Sequence, residues 1–253
     1  MPSSNWYDDA EAYDLAFGFP PGREAAFLLE LLHRHDVAPP ARLLEPMVGT
    51  GRLVLPLVDA GYRVTGFDLA PAMLRLARAH APGATFFRAD AARFACATAF
   101  AAAHCLIDSF RYLPTEDDAA RFFAAVATAL TPGAPFAIGL ELHTPGEPTP
   151  ESWTTTRDGL TAKTTILSHG DAGDGLEWMD AAVEIASDDP AQSRTVKSRM
   201  RQRIWTPPAF CAFLDRQDAF DVAGIWRRSQ ELHDPLDAFP PRGGPITVVL
   251  VRN

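Results

Sequence analysis

Glu45, Gly49, Gly51 and Asp68 are the residues whose types and spacing most directly suggest chemistry. The first three lie in LLEPMVGTGRL, Leu43 to Leu53, and the fourth closes the strand-like segment that follows. Glycine has no Cβ, so Gly49 and Gly51 let the backbone turn tightly and let a ligand approach it closely. A helix beginning after such a turn presents free N–H groups to the same ligand. Glu45 can accept hydrogen bonds from an ammonium or from a loop amide. Asp68 stands 23 residues further on, at the end of Tyr62–Phe67 in the string Gly66-Phe67-Asp68, where an acid suits ribose hydroxyls. The joint pattern points to an adenosine-containing cofactor. A dinucleotide loop would need a third glycine where Val54 stands, and a P-loop would need a Lys followed by Ser or Thr, which is not there.

These residues need strands and helices to position them. Glu24 to Arg34 carries Phe27, Leu28, Leu31 and Leu32 at helical spacing after Pro20-Pro21-Gly22, so the first forty residues are predicted helical. Short apolar runs then alternate with helical patterns. Strands are predicted at Arg42–Glu45, Tyr62–Phe67, Thr85–Phe87, Ala101–Ile107 and Pro135–Leu142, and helices at Leu53–Ala60, Pro71–His80 and Glu116–Leu130. Thr115 is a candidate N-cap for the last of these. Alternation of this kind implies βαβ units, hence an α/β fold: a mostly parallel seven-stranded Rossmann-like sheet with helices on both faces. From about Ser152 the pattern changes to β-rich stretches at Trp153–Arg157, Leu160–Ser168, Leu176–Ala186 and Arg194–Trp205, with a hairpin signal at Asp158-Gly159. That reads as an antiparallel β insertion after strand five. A helix at Ala209–Asp215 and strands at Phe220–Arg228 and Ile246–Val251 complete the core. The expected division is a helical cap over 1–40, a cofactor-binding core over 41–150 and 204–253, and the insertion over 151–203 as a substrate cover.

The chain has 253 residues, 47% of them apolar and 22% charged, which is ordinary for a globular protein. Its net charge of −9 argues against a large nucleic-acid footprint. Nothing in it approaches a membrane span of about 20 apolar residues, and the acidic N-terminus has no export signal. Cys96, Cys105 and Cys211 are odd in number and far apart, so neither a disulfide framework nor a cysteine-based metal site is expected. A reducing cytoplasm is the expected compartment. The His33/His35 pair beside Asp36 reads as a helix end, and no metal-ligand spacing is present.

The motif Glu45-Pro46-Met47-Val48-Gly49-Thr50-Gly51 resembles the first motif of the class I S-adenosylmethionine-dependent methyltransferases, with Met47 where that motif has its first glycine. Gly61 to Arg78 resembles the family's second motif and Phe86 to Phe94 its third. The resemblance implies roles for several residues. Glu45, Met47, Gly49 and Gly51 would form the cofactor loop, and Asp68 would bind the ribose diol. Leu69 and Met73 would pack near the adenine, and Asp90 would accept from its amino group with Ala91 beside it. Ala103 to Leu113 matches the strand that borders the reactive methyl, which brings in Ile107. Tyr13 lies in an aromatic N-terminal segment of a kind that closes over the cofactor, and aromatic faces suit a sulfonium cation. Thr128 to Leu142 resembles the family's helix, Pro-Gly turn and fifth strand. The implied cofactor is S-adenosylmethionine, with S-adenosylhomocysteine as product. The implied reaction is methyl transfer to an N, O or C nucleophile of a small-molecule substrate.

Substrates of such folds enter beyond the C-terminal ends of the strands, at the switch point of the sheet. That location picks out Asp108, Arg111, Tyr112, Glu141 and His143. His143 is the first choice for a general base, since its ordinary pKa suits proton transfer near neutrality. Asp108 is the second, while Arg111, Tyr112 and Glu141 are expected to line the substrate site. His104 lies within a strand and reads as a satisfied core histidine. The stripe Thr195, Lys197, Arg199, Arg201 and Arg203 falls on one strand face and reads as solvated surface rather than a nucleic-acid contact. Two other functions fit the same motifs. One is a non-catalytic or regulatory protein that binds a partner through the insertion. The other is an RNA or protein methyltransferase, although the segment Ile107-Asp108-Ser109-Phe110 lacks the Pro-Pro-aromatic signature suited to a flipped base. No membrane partner is expected, and a homodimer is compatible with the sequence.

Overall fold

Each strand–helix alternation in the sequence becomes a βαβ unit in the computed structural model, which describes residues 5–96, 99–143, 150–171, 173–227 and 232–253. In chain order the elements are α1 (Ala10–Phe17), α2 (Gly22–Arg34), β1 (Arg42–Pro46), α3 (Val54–Asp59), β2 (Arg63–Asp68), α4 (Pro71–His80), β3 (Thr85–Arg88) and β4 (Ala102–Cys105). A 3-10 turn at Ser109–Tyr112 leads to α5 (Glu116–Ala129) and β5 (Pro135–Leu142). Then come β6 (Glu151–Arg157), β7 (Leu160–Asp171), β8 (Leu176–Ala186), β9 (Arg194–Arg203), α6 (Pro207–Leu214), β10 (Phe220–Arg227) and β11 (Gly244–Arg252).

The large sheet has seven strands in the order β10-β11-β5-β4-β1-β2-β3. All its pairings are parallel except those of β11, which runs antiparallel between β5 and β10. The chain leaves β1 toward β2 and β3, then crosses back to β4 and β5, so the switch point lies between β1 and β4. Side-chain alternation sorts the strand residues between two cores. Leu44, Phe67, Ala103 and Phe136 pack with α5 and α6 through Phe122, Phe123, Phe210 and Phe213. Leu43, Val64, Ala102 and Ala137 pack with α2 and α3 through Phe27, Leu28, Leu31 and Leu57. Thr115 caps α5, its side chain accepting from the Asp118 N–H at 3.0 Å.

The insertion is a second, four-stranded antiparallel sheet, β6-β7-β8-β9. Asp158 and Gly159 turn β6 into β7 with φ of +54° and +76°, the left-handed pair of a tight hairpin. Its inner face, with Met179, Ala181, Val183, Val196 and Met200, packs against Trp6, Leu15 and Ala16. The first forty residues therefore divide. The α1 segment belongs to the insertion sheet, whereas α2 is part of the large sheet's core. The strand from Ala102 ends at Cys105, earlier than the expected Ile107, because Ile107 and Asp108 both turn left-handed, each with φ of +65°. Arg228, the expected end of β10, and Thr144 and Pro145, which follow His143, lie outside the described residues. Among the described residues no helix is long and apolar enough to cross a membrane.

Candidate active site

Five successive strands of the large sheet end in carboxylates along one edge. In spatial order these are Asp90 just after β3, Asp68 on β2, Glu45 on β1, Asp108 just after β4 and Glu141 on β5. An edge of acceptors suits a ligand that brings hydroxyls, an amino group and positive charge, and it repels a pyrophosphate.

The turn from β1 to α3 adopts left-handed backbone at Met47, Gly49 and Gly51, with φ of +53°, +56° and +78°. Met47 therefore takes, at some conformational cost, a geometry that glycine adopts freely. The two glycines serve different ends. A Cβ on Gly49 would meet nothing within 4 Å, so this position faces open space where a ligand can approach. A Cβ on Gly51 would lie 3.2 Å from the Ala77 Cα and Cβ, so this glycine is needed for α4 to pack on the turn. Of the two positions where close approach of a ligand is expected, only Gly49 leaves room for it.

Asp68 ties the turn to β2. Its Oδ2 accepts from the Gly49 N–H and its Oδ1 from the Ala70 N–H, each at 2.9 Å. Burial pushes its carboxyl above the usual range, and these N–H bonds pull it back. Each oxygen keeps a further lone pair for a ligand hydroxyl. Beyond it Leu69 is 57% exposed, an apolar side chain at the strand edge, whereas Met73 is fully buried on α4. Asp90 is exposed, and its Oδ1 accepts from the Ala92 N–H at 2.9 Å, with Ala91 buried beside it.

Glu45 is buried, and its Oε2 has no hydrogen-bond partner among the described residues. Burial pushes its carboxyl up to about 8, against a pull from Arg52. Arg52 is itself held by Glu24 at 2.9 Å and by the Phe19 carbonyl at 3.2 Å. His104, one strand away, is a core histidine as expected, but it is not a satisfied one, since neither ring nitrogen has a partner. Its Nε2 lies 3.6 Å from Glu45 Oε2, and burial lowers its pKa to about 3. At neutral pH these directions leave both groups uncharged.

α1 covers this edge. Tyr13 lies close enough to Asp68 and Arg52 to feel both charges. Asp14, one residue on, accepts from Arg157 at 2.6 Å and stands 3.8 Å from His80 Nε2, while His80 Nδ1 donates to the Thr50 carbonyl at 2.9 Å. β6 holds the end of the helix through Trp153 to the Ala16 carbonyl at 2.8 Å and Thr155 to the Leu15 carbonyl at 2.6 Å. The rings of Tyr7, Tyr13 and Tyr112 meet, with centroids 5.5 Å apart for Tyr7–Tyr13 and 5.6 Å for Tyr7–Tyr112. Burial raises all three phenols, Tyr112 to about 12, so they stay protonated. Tyr7 joins the set through this contact.

On the β4–β5 side the structure brings together four of the five residues picked out there, and adds one. Asp108 Oδ1 accepts from the Glu141 N–H at 2.7 Å and its Oδ2 from Arg111 at 2.9 Å. Arg111 is buried, also donates to the Arg203 carbonyl at 3.0 Å, and pairs with Glu177 of β8. Asp108 in this setting is a clamp between strand ends. His143 donates its backbone N–H to the Trp205 carbonyl at 2.8 Å, and its Nε2, buried and without a hydrogen-bond partner, lies 3.6 Å from Glu177 Oε1. Burial, reinforced by Arg111, lowers the His143 pKa, against a smaller opposing pull from Glu177 and Asp108. Glu177 escaped the sequence reading, yet it carries a signal. It occupies the inward parity of β8 that Met179, Ala181 and Val183 otherwise fill with apolar side chains. The basic stripe of β9 is solvent-facing, as expected, and its guanidiniums are engaged: Arg199 with Asp180, Arg201 with Asp174 and Arg203 with Glu116. No cluster of three or more metal-ligating side chains occurs among the described residues.

Residues 43–133 match the family model of a methyltransferase domain. No curated protein matches the chain significantly. Among solved structures the chain is similar to an S-adenosylmethionine-dependent methyltransferase from Clostridium acetobutylicum ATCC 824, with 15% identity, 98% of this chain and 99% of that chain covered, and a TM-score of 0.78. It is similar to SAM-bound CalS10, an amino pentose methyltransferase from Micromonospora echinaspora involved in calicheamicin biosynthesis, with 22% identity, coverage of 91% and 90%, and a TM-score of 0.71. It is also similar to the sugar N-methyltransferase KedS8 from Streptoalloteichus sp ATCC 53650, with 20% identity, coverage of 94% and 90%, and a TM-score of 0.74.

Proposed function

We propose that the chain is a class I S-adenosylmethionine-dependent methyltransferase that methylates a small-molecule acceptor bound between the β4–β5 strand ends and the insertion sheet, a reading supported by the methyltransferase-domain match over residues 43–133 and by the fold. The observation that carries this reading is Glu177. From β8 it reaches the strand ends, pairs with Arg111 and faces His143, so the insertion sheet packs over the ends of β4 and β5. The similarity to an amino pentose methyltransferase and a sugar N-methyltransferase supports a small polar acceptor. The neutralised stripe of β9 supports it further, because that face has no unengaged guanidinium row for a nucleic-acid backbone.

The orphaned Glu45 Oε2 and the open approach at Gly49 fit the cofactor's charge and shape. Glu45, Met47, Gly49, Asp68, Leu69, Asp90 and Ala91 would hold it, with Tyr13 closing over it and Ile107 and Met73 shaping the walls. When bound, S-adenosylmethionine supplies a methyl group already activated on a sulfonium, so the protein's part is alignment and charge placement. His143, held neutral by burial and Arg111, takes the proton from the acceptor's nucleophile at an imidazole nitrogen. Asp108, Arg111 and Glu177 fix the position of that imidazole, while Glu141, Tyr112 and Tyr7 line the acceptor side. The protonated tyrosines exclude water and keep their O–H groups as donors.

The test is calorimetric titration with S-adenosylmethionine and S-adenosylhomocysteine, with NADH as control. Mass-spectrometric screening of small amines, amino sugars and alcohols for a methylated product completes it. Binding of the first two ligands with turnover of a small acceptor is expected. Binding with turnover only on RNA or protein would overturn the acceptor class, and binding without any turnover would favour a regulatory role.

A further inference from the structure

We propose that His104 is a positioning residue for the cofactor's ammonium group, holding the Glu45 carboxyl by an Nε2–H donated to Oε2 so that the other oxygen faces the ligand. This rests on the cofactor reading above. The geometry is specific. Glu45 on β1 and His104 on β4 follow the paired residues Leu44 and Ala103, so they face one another across the switch point where ligands of open α/β sheets bind. Both are buried, Glu45 Oε2 and both His104 nitrogens lack partners, and Oε2 and Nε2 are 3.6 Å apart. Buried polar atoms are rarely left unpaired, and three on adjacent strands point to a site completed by a ligand. Contacts of this kind are often long without ligand and tighten when it binds.

The surrounding groups narrow what the pair can do. Arg52, from the turn before α3, is the cation that acts on Glu45, and it is already paired with Glu24. Cys105 on β4 feels Glu45, Asp68 and Asp108, and burial with those charges keeps its thiol protonated. Burial also holds Glu45 protonated and His104 neutral without ligand. An arriving ammonium offsets the cost of a buried carboxylate, so Glu45 gives its proton to solvent as the ligand binds. An imidazole with its proton on Nε2 donates in both states but more strongly to the carboxylate, so it favours the ionised Glu45 that the ammonium needs. A second cation there would repel the ammonium, so His104 remains uncharged.

The experiment compares S-adenosylhomocysteine, which carries the ammonium, with methylthioadenosine, which lacks it. Each is titrated calorimetrically into the full chain across pH, in buffers of different ionisation enthalpy. The wild type is expected to release a proton on binding the first ligand and none on binding the second. His104→Leu is expected to weaken S-adenosylhomocysteine about tenfold at neutral pH, to shift its pH dependence upward, and to leave methylthioadenosine unchanged. His104→Asn, which restores an N–H donor, recovers part of that loss. Equal effects of His104→Leu on both ligands, an unmoved pH profile in a folded His104→Leu protein, or a His104→Asn protein that binds S-adenosylhomocysteine no better than His104→Leu, overturn the proposal. Failure of the wild type to bind either ligand overturns the cofactor reading itself, and this role with it.

Discussion

Arg111 and Glu177 form a buried ion pair between the two sheets, with side chains only 4% and 2% exposed. Arg111 comes from the turn after β4 and Glu177 from the insertion, so the pair is where the insertion sheet meets the core. Breaking a buried pair leaves one desolvated charge uncompensated, which costs about 3–5 kcal/mol. Arg111→Met, which strands Glu177, is expected to lower stability by about that much in urea unfolding, and Glu177→Leu by less, because Arg111 keeps Asp108 at 2.9 Å. The double variant is expected to recover part of it, because an apolar pair avoids the desolvation cost while Asp108 and the Arg203 carbonyl still lose Arg111. Methyl transfer stays low in all three, since the His143 imidazole has lost neighbours that fix its position. A double variant with restored turnover would reduce the pair to a packing feature.

Glu45 and His104 impose opposite pH dependences on the ligand-free protein. Glu45 has its folded pKa raised from 4.5 to about 8, so the folded state keeps a proton that the unfolded chain has lost, and stability falls as pH rises through that window. His104 has its folded pKa lowered from 6.5 to about 3, so stability falls as pH drops from 6.5. Between 4.5 and 6.5 the two slopes oppose each other, and above 6.5 Glu45 acts alone. Unfolding followed upward from pH 6.5 is expected to show a loss on the order of 2 kcal/mol by pH 8 that Glu45→Gln removes. A slope that survives Glu45→Gln would assign the effect elsewhere.

The two glycines of the turn separate in the same spirit. Gly51→Val places a β-branched side chain at φ +78° against Ala77, so it is expected to destabilise the fold by about 3 kcal/mol. Gly49→Ala meets no protein atom and pays only for its left-handed backbone, about 1 kcal/mol. Its methyl projects toward the ligand, so binding of S-adenosylhomocysteine is expected to fall at least about tenfold. Normal binding by Gly49→Ala would mean that the ligand lies elsewhere.

Asp68→Asn removes the charge and keeps one acceptor oxygen, so one of the Gly49 and Ala70 N–H bonds survives and the other N–H faces the amide NH2. Cofactor affinity is expected to drop by about 1–3 kcal/mol, with a smaller fall in melting temperature than Asp68→Ala gives. Asp68→Ala, which orphans both amides, is expected to reduce both. Unchanged affinity in Asp68→Asn would refute the ribose role.

Most of the cofactor edge is legible in the sequence because it is local. Glu45, Gly49 and Gly51 sit within one strand–turn–helix, and Asp68 ends the next strand, so period and punctuation suffice. The acceptor side is not local. Glu177 meets Arg111 across 66 residues, and no periodicity reports which inward position of β8 opposes which turn. The left-handed backbone of Ile107 and Asp108 was equally hidden, since a β-branched residue argues for a continuing strand. His104 shows the reverse case. Its place in an apolar strand predicted burial, but only the register of β4 on β1 sets it against Glu45.

His143 offers the sharpest test of the chemistry. Its pKa is lowered by burial and by Arg111 and raised by Glu177, so the neutral base already predominates near neutrality. The rate constant kcat/KM is therefore expected to rise with pH along a limb below the ordinary histidine value and then to level off. His143→Ala removes that limb. The neighbours should move it in opposite directions: Arg111→Met shifts it up by removing a repelling cation, and Glu177→Gln shifts it down by removing an attracting anion. An acceptor that titrates by itself contributes the same limb to every variant, so the comparison isolates the histidine. Profiles that coincide for all four proteins would leave His143 a structural contact and not the base.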